Sequence, residues 1–271
     1  MKLGVFVSLG PEIGPKMRQL AELGFETCML NCWDMAKFTD DYAALVKKAV
    51  ADTGVQISAV WAGWQGGPGI WNFILGPSTL GMVPPAYRQK RSEQFLLGAE
   101  FAAKIGVSDV ITHAGFMPEN PNDPDYVGMI GMLTYIANIL KPRGQYFLFE
   151  TGQETPVVLL RAIEDIGTGN IGINLDTANL ILYGKANPVD ALDVFGQYVR
   201  NTHMKDGLYP TDGRHLGREV PLGEGKVNFP ALIAKFKEIG YDGPLTIERE
   251  ISGEKQLQDI MAGKAFLESL L

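Results

Sequence analysis

Along the chain, short apolar runs alternate with longer amphipathic stretches. The runs are Leu3–Ser8, Glu26–Asn31, Gln56–Ala62, Asp109–His113, Gln145–Glu150, Ile171–Asp176, Val199–Met204 and Pro244–Glu248. Their hydrophobicity is continuous rather than alternating, the pattern of strands covered on both faces. Between them lie helix-like segments at about 14–23, 39–53, 88–105, 125–141, 155–166, 188–197, 229–239 and 255–270. Eight strand–helix pairs predict an α/β protein, a single (β/α)8 TIM barrel spanning residues 1–271 as one domain. Gly24, Gly54, Gly106, Gly167 and Gly240 each close a helix-like stretch just before a strand, where a left-handed residue is expected.

Two connections are long, Gly63–Tyr87 and Lys205–Asn228, and each follows a strand. Both therefore belong to the C-terminal face of the barrel, and loops of this length are usually functional. The first connection, with the strand before it, brings Trp61, Trp64, Trp71 and Phe73 together among glycines. That set reads either as an apolar cluster pinning the loop or as an aromatic wall over a small ligand.

The chain has 271 residues, 46% of them hydrophobic, and a formal net charge of −7. That charge argues against a partner held by phosphate neutralisation, so no nucleic acid is expected. No apolar stretch reaches the roughly 18 residues of a membrane span. Ser8, Gly10 and Pro11 interrupt the N-terminal apolar run too early for a signal segment. Cys28 and Cys32 stand four apart on one predicted strand and read as free thiols of a reducing, cytoplasmic compartment.

Four runs end in metal-binding chemistry: FLFE at Glu150, INLD at Asp176, NTH at His203 and LTIE at Glu248. A charge where the backbone leaves the core is costly unless paired or coordinated. Any one of them could be a structural ion pair, but four at the same end of consecutive strands point to one divalent ion. Three carboxylates and a neutral imidazole leave that ion with a net charge of about −1. Oxygen-rich ligation favours Mn²⁺ or Mg²⁺, with Co²⁺ and Zn²⁺ as alternatives.

The segments FLFETGQET, INLDTANL, NTHMKD, GREVPLGEGKVNF and GPLTIERE resemble the sugar isomerase/epimerase superfamily with a xylose isomerase-like barrel. This group includes D-tagatose and D-psicose 3-epimerases, hydroxypyruvate isomerase, inosose dehydratase and the endonuclease IV fold. The resemblance implies that Glu150, Asp176, His203 and Glu248 ligate the ion and that Glu150 and Glu248 are also the acid/base pair. One would remove the proton α to a carbonyl, the ion would stabilise the enediolate, and the other would return a proton to the opposite face. The implied activity is that of an isomerase of carbohydrate metabolism, an epimerase or a ketose/aldose isomerase, with a sugar or sugar derivative as substrate. The alternatives are an inosose dehydratase-like lyase and a phosphodiester hydrolase of the endonuclease IV type.

Around these ligands, the resemblance implies that Arg218 contacts substrate oxygens and that His113 contacts metal or substrate. Glu154 is expected to bind a substrate hydroxyl or cap the following helix. Asp206 is expected to orient His203 as an acceptor, and Trp61 and Trp64 to cover the apolar face of the sugar. Asn179 stands where several members carry a histidine; it can hydrogen-bond a hydroxyl but is a poorer ligand. With only His113, His203 and His215 in the chain, a trinuclear zinc nuclease site is disfavoured. Phosphate recognition is left open by Arg214, Arg218 and Lys226 among the glycines of GRHLGREVPLGEGK. Oligomeric state is open too, a homo-oligomer included.

Overall fold

The structure is a computed structural model describing residues 1–271. Its strands are β1 (Lys2–Ser8), β2 (Thr27–Cys32), β3 (Gln56–Ala62), β4 (Asp109–Thr112), β5 (Tyr146–Glu150), β6 (Ile171–Asp176), β7 (Val199–Met204), β8 (Asp206–Leu208), β9 (Arg218–Val220) and β10 (Pro244–Ile247). Strands β1 to β7 and β10 close a barrel in sequence order, with β1 paired to both β2 and β10. All barrel pairs are parallel. The eight expected runs are the eight barrel strands, to within a residue or so at their ends. The hairpin β8–β9 was not anticipated; it lies inside the second long connection and pairs antiparallel.

The helices are α1 (Ile13–Glu22), α2 (Asp40–Thr53), α3 (Gly76–Thr79), α4 (Pro85–Lys104), α5 (Pro124–Leu140), α6 (Pro156–Ile166), α7 (Asn179–Leu182), α8 (Pro188–Phe195), α9 (Phe229–Glu238) and α10 (Glu254–Glu268). Local chemistry sets their ends. Thr39 caps α2 through Tyr42 N–H, Thr155 caps α6 through Val158 N–H, and Asn187 caps α8. The five expected helix-ending glycines all have φ between 62° and 78°. None of the helices is long and apolar enough to cross a membrane.

The main core lies between barrel and helices. The inside of the barrel is a separate apolar cluster built on Met29, Ala59, Trp61, Ile111 and Leu148, flanked by Phe6 and Tyr146. Below that cluster, buried Asp109 takes Nε of Arg200 at 3.1 Å and Nδ2 of Asn201 at 2.9 Å. The barrel interior is thus a packed plug beneath its C-terminal rim.

Loops at that rim are locked to one another through bare backbone. Ala114 C=O accepts from Met82 N–H at 2.6 Å and Val83 N–H at 3.0 Å. Gly81 has φ +66°, and a Cβ there would lie 2.1 Å from the Ala114 carbonyl. Elsewhere on the rim, Phe73 N–H donates to Arg214 C=O at 3.3 Å and joins the two long connections. Gly81→Ala should therefore cost about 3 kcal/mol or more in a denaturant melt, since strain and backbone clash coincide. A loss below about 1 kcal/mol would show that this crossing can relax.

Candidate metal centre

Glu150 ends β5, Asp176 ends β6, His203 lies in β7 and Glu248 directly follows β10. All four are buried. Parallel register brings them level: Asp176 pairs with His203 and Glu150 with Asn174, while Thr246 opposite His203 places Glu248 two residues further out. One ligand atom from each residue lies within 4.8 Å of every other. The focus is His203 Nδ1, which is 2.8 Å from Glu150 Oε1, 3.2 Å from Glu248 Oε2 and 3.9 Å from Asp176 Oδ2.

The surroundings orient each donor. Asp176 Oδ1 accepts from Ala178 N–H and Asn179 N–H at 2.9 and 2.8 Å, which leaves Oδ2 buried without a hydrogen bond and facing the other donors. Glu150 Oε2 is held by Trp61 Nε1–H and by His113 Nε2, the latter at 3.3 Å. The His203 ring packs edge-on to Phe6, and its Nε2 lies 2.9 Å from Met29 Sδ.

The charges respond to this crowding. Burial pushes Asp176 well above the usual carboxylate range, and the neighbouring Glu248 and Glu150 push the same way. Burial acts upward on Glu150 too, but His113 and His203 outweigh it and hold the group below its ordinary value. Glu248 is likewise buried, yet Lys205 and His203 pull it well down. Burial disfavours the His203 cation, but Glu248 and Glu150 overcome it and raise His203 well above its ordinary value. An orphaned carboxylate oxygen among three carboxylates and an imidazole suits a divalent cation, and these residues could hold one.

A cavity of about 500 Å³ opens directly above the cluster. Glu150, Glu248, His113, Asn179 and Trp61 line it, as expected. Trp33 and Trp71 line it as well, and so does Tyr183. The Trp33 ring lies 4.8 Å from that of Trp61, tilted to it, and 5.2 Å from that of Trp64, edge-on. Trp64 is a buried pin behind the wall, 4.9 Å from the Arg91 guanidinium, while Trp61 and Trp71 form the wall itself.

A search against family profiles matches residues 17–270 to the xylose isomerase-like TIM barrel. The chain belongs to this family. A xylose isomerase domain protein from Planctomyces limnophilus is 33% identical, with a TM-score of 0.92 over 99% of this chain and 96% of that one. A D-tagatose 3-epimerase-like protein shares the fold at 23% identity, with a TM-score of 0.72 over 100% and 98% of the two chains. A probable 3-DHS dehydratase from Bacillus anthracis does so at 18%, with a TM-score of 0.73 over 99% of each. An uncharacterised Methanocaldococcus jannaschii protein is 30% identical over 185 residues, 64% of this chain and 59% of that relative's length.

Within this family barrel, four expected placements differ from the structure, the first being that of Trp64, which does not line the cavity. Arg218 is exposed on β9 and does not line the cavity; Arg249 does, paired with Glu219 at 3.0 Å and Asp259 at 2.9 Å. Arg218 opens the hairpin strand β9 at its exposed end, while Val220 at the other end is buried. Asp206 does not meet His203. Its carboxylate accepts from the backbone N–H groups of Gly207, Gly223, Gly225 and Val227, at 2.8–3.1 Å, and so folds the loop after β9. Glu154 neither lines the cavity nor caps α6. It accepts from Gly152 N–H at 3.2 Å, and Thr155 is the cap. The reading of the sequence assigned no role to Lys205, yet its ammonium is buried among Asp176, Glu248 and Glu250. The signal was there: Lys205 follows His203 by two residues and so shares its face of the chain.

Two outcomes follow. Asp206→Ala should lower unfolding free energy by about 3 kcal/mol while leaving Mn²⁺ affinity of the metal-free protein within about threefold of wild type; a large loss of affinity would restore Asp206 to a role at the metal. Burial pushes Glu154 up to about 8 from its ordinary 4.5, against the hydrogen bond from Gly152. Between those values the folded state keeps a proton that the unfolded state has released, so stability falls as pH rises. Glu154→Gln should remove this loss, and its thermal midpoint should gain on wild type steadily from near pH 5 to near pH 8. A constant difference would show that Glu154 ionises freely in the fold.

Proposed function

We propose that this protein is a metal-dependent sugar isomerase or epimerase that moves a proton α to a carbonyl, with Glu150 and Glu248 as the acid/base pair. The observation that carries the reading is the placement of these two carboxylates. They approach His203 Nδ1 from strands β5 and β10, separated by β6 and β7, and both line one cavity. A carbon held between them can lose a proton to one and regain it from the other. Glu150, Asp176, His203 and Glu248 would hold the ion, Mn²⁺ by preference, which when bound supplies electrophilic stabilisation for the developing oxyanion. Trp61 and Nε2 of His113 fix Glu150, so its carboxylate meets the substrate in one orientation.

The walls also suit an uncharged sugar. Arg249 is engaged by Glu219 and Asp259, and Arg214, Arg218 and Lys226 are exposed outside the cavity. A phosphate would therefore meet Glu150, Glu248 and Glu250 with no free basic side chain to bind it, and a nucleic-acid backbone would fare no better. The indole faces of Trp33, Trp61 and Trp71 match the C–H face of a sugar. A second reading, dehydration after the same proton abstraction, draws on His113, whose Nδ1 is buried without a partner near Glu150 and could serve a leaving hydroxyl. A dehydratase among the structural neighbours agrees with it.

Incubation with Mn²⁺ and a panel of free ketoses in D₂O separates these readings. Deuterium on the carbon next to the carbonyl of recovered sugar supports isomerisation or epimerisation; loss of water supports the lyase. Glu150→Gln and Glu248→Gln should each reduce turnover about 10²–10⁴-fold. Exchange that survives in both variants, or a preference for phosphate esters over free sugars, would overturn the proposal.

A further inference from the structure

Lys205 does not line the cavity, but three residues that do are fastened to it. Its Nζ lies 3.3 Å from Glu248 Oε2, 2.8 Å from Glu250 Oε1 and 3.4 Å from Asn179 Oδ1, with Asp176 Oδ2 at 3.6 Å. The side chain is 1% exposed. It extends from the residue after β7 behind the cavity wall, so its ammonium reaches these groups from the protein side and leaves their other faces to the ligand.

We infer that Lys205 is a positioning residue for the proposed proton transfer, setting the orientation of both Glu248 and Asn179. For Glu248 the effect is to separate its two oxygens. Lys205 Nζ and His203 Nδ1 both lie against Oε2, at 3.3 and 3.2 Å, which frees Oε1 to face the reacting carbon. For Asn179 the effect is to choose which end of the amide faces inward. An ammonium is donor-only, so it fixes the amide oxygen on its own side and turns the NH₂ toward the cavity. Asn179 then donates to a substrate oxygen. Glu250, whose side chain is 61% exposed, is the outer anchor of the ammonium.

Lys205 also alters the charge of the centre. Its positive charge offsets part of the negative charge that Asp176, Glu248 and Glu250 bring together beside the site. The positioning role makes its removal act oppositely on metal and chemistry. This inference rests on the proposed function for its catalytic readout, while its structural readout stands apart.

The test uses Lys205→Met, which keeps the length of the stem and removes the ammonium. Mn²⁺ titrated into the metal-free variant should bind at least as tightly as to wild type, because a competing cation is gone. With a ketose that wild type turns over, kcat should fall about 100-fold, the scale of a misplaced reacting group, and KM should rise no more than about threefold. In the crystal structure of the Mn²⁺-loaded variant, the Glu248 carboxylate and Asn179 amide should be rotated from their wild-type orientations. Unchanged kcat, or loss of Mn²⁺ affinity in step with kcat, would overturn the inference in favour of a merely structural lysine. If wild type moves no proton on any ketose, the proposed function fails, and the crystal structure alone decides: unrotated Glu248 and Asn179 overturn the positioning role. Should Lys205→Met not fold, Glu250→Gln removes only the outer anchor. It should lower kcat about tenfold at unchanged Mn²⁺ affinity, and unchanged kcat would again count against Lys205.

Discussion

Three buried carboxylates meeting at one imidazole nitrogen repel one another, and much of the C-terminal face answers that repulsion. In a low-dielectric interior such a group of like charges is far costlier than at a surface. The chain offsets it in two ways. His203 and Lys205 bring positive charge from adjacent positions of one strand end, and backbone or ring N–H groups take the oxygens that face away from the centre. What stays without a hydrogen bond is Asp176 Oδ2, which lies 3.6 Å from Lys205 Nζ and 3.9 Å from His203 Nδ1. A cation-shaped deficit is therefore written into the protein before any ion arrives.

The barrel makes this crowding mechanically possible. Parallel pairing locks β5, β6, β7 and β10 so that four separate strand ends arrive at one height. Beneath them the interior is filled by Met29, Leu148, Ile111 and Phe6, so the donors cannot sink away from one another. Further down, Asp109 with Arg200 and Asn201 places another buried charge at the opposite end of the plug. The two polar layers are separated by an apolar one, which keeps the chemistry of the rim independent of the foot of the barrel.

Much of this was legible in the amino-acid pattern, and the limits have physical causes. Buried parallel strands advertise themselves as unbroken apolar runs, so all eight could be placed. An acid or imidazole that ends such a run is conspicuous, which is how Glu150, Asp176, His203 and Glu248 stand out. Asp206 misled because its partners are backbone amides as many as twenty-one residues away, which carry no side-chain signature. Arg218 misled because a three-residue hairpin strand decides which way it points. Trp33 escaped notice because it stands one residue beyond its strand, at 41% exposure, with nothing nearby in sequence to mark it as part of the wall.

The hydrogen bond from Phe73 to Arg214 joins the loops that follow β3 and β7, strands on opposite sides of the barrel. It ties the two long connections together across the mouth. On the side of β4 to β6, the lining residues His113, Glu150, Asn179 and Tyr183 are all buried. On the side of β10, β1 and β2, Ser8, Trp33 and Glu250 line the same cavity and are exposed. The two glutamates of the candidate centre thus differ in address: Glu248 shares a strand end with exposed Glu250, while Glu150 is backed by Trp61 and His113.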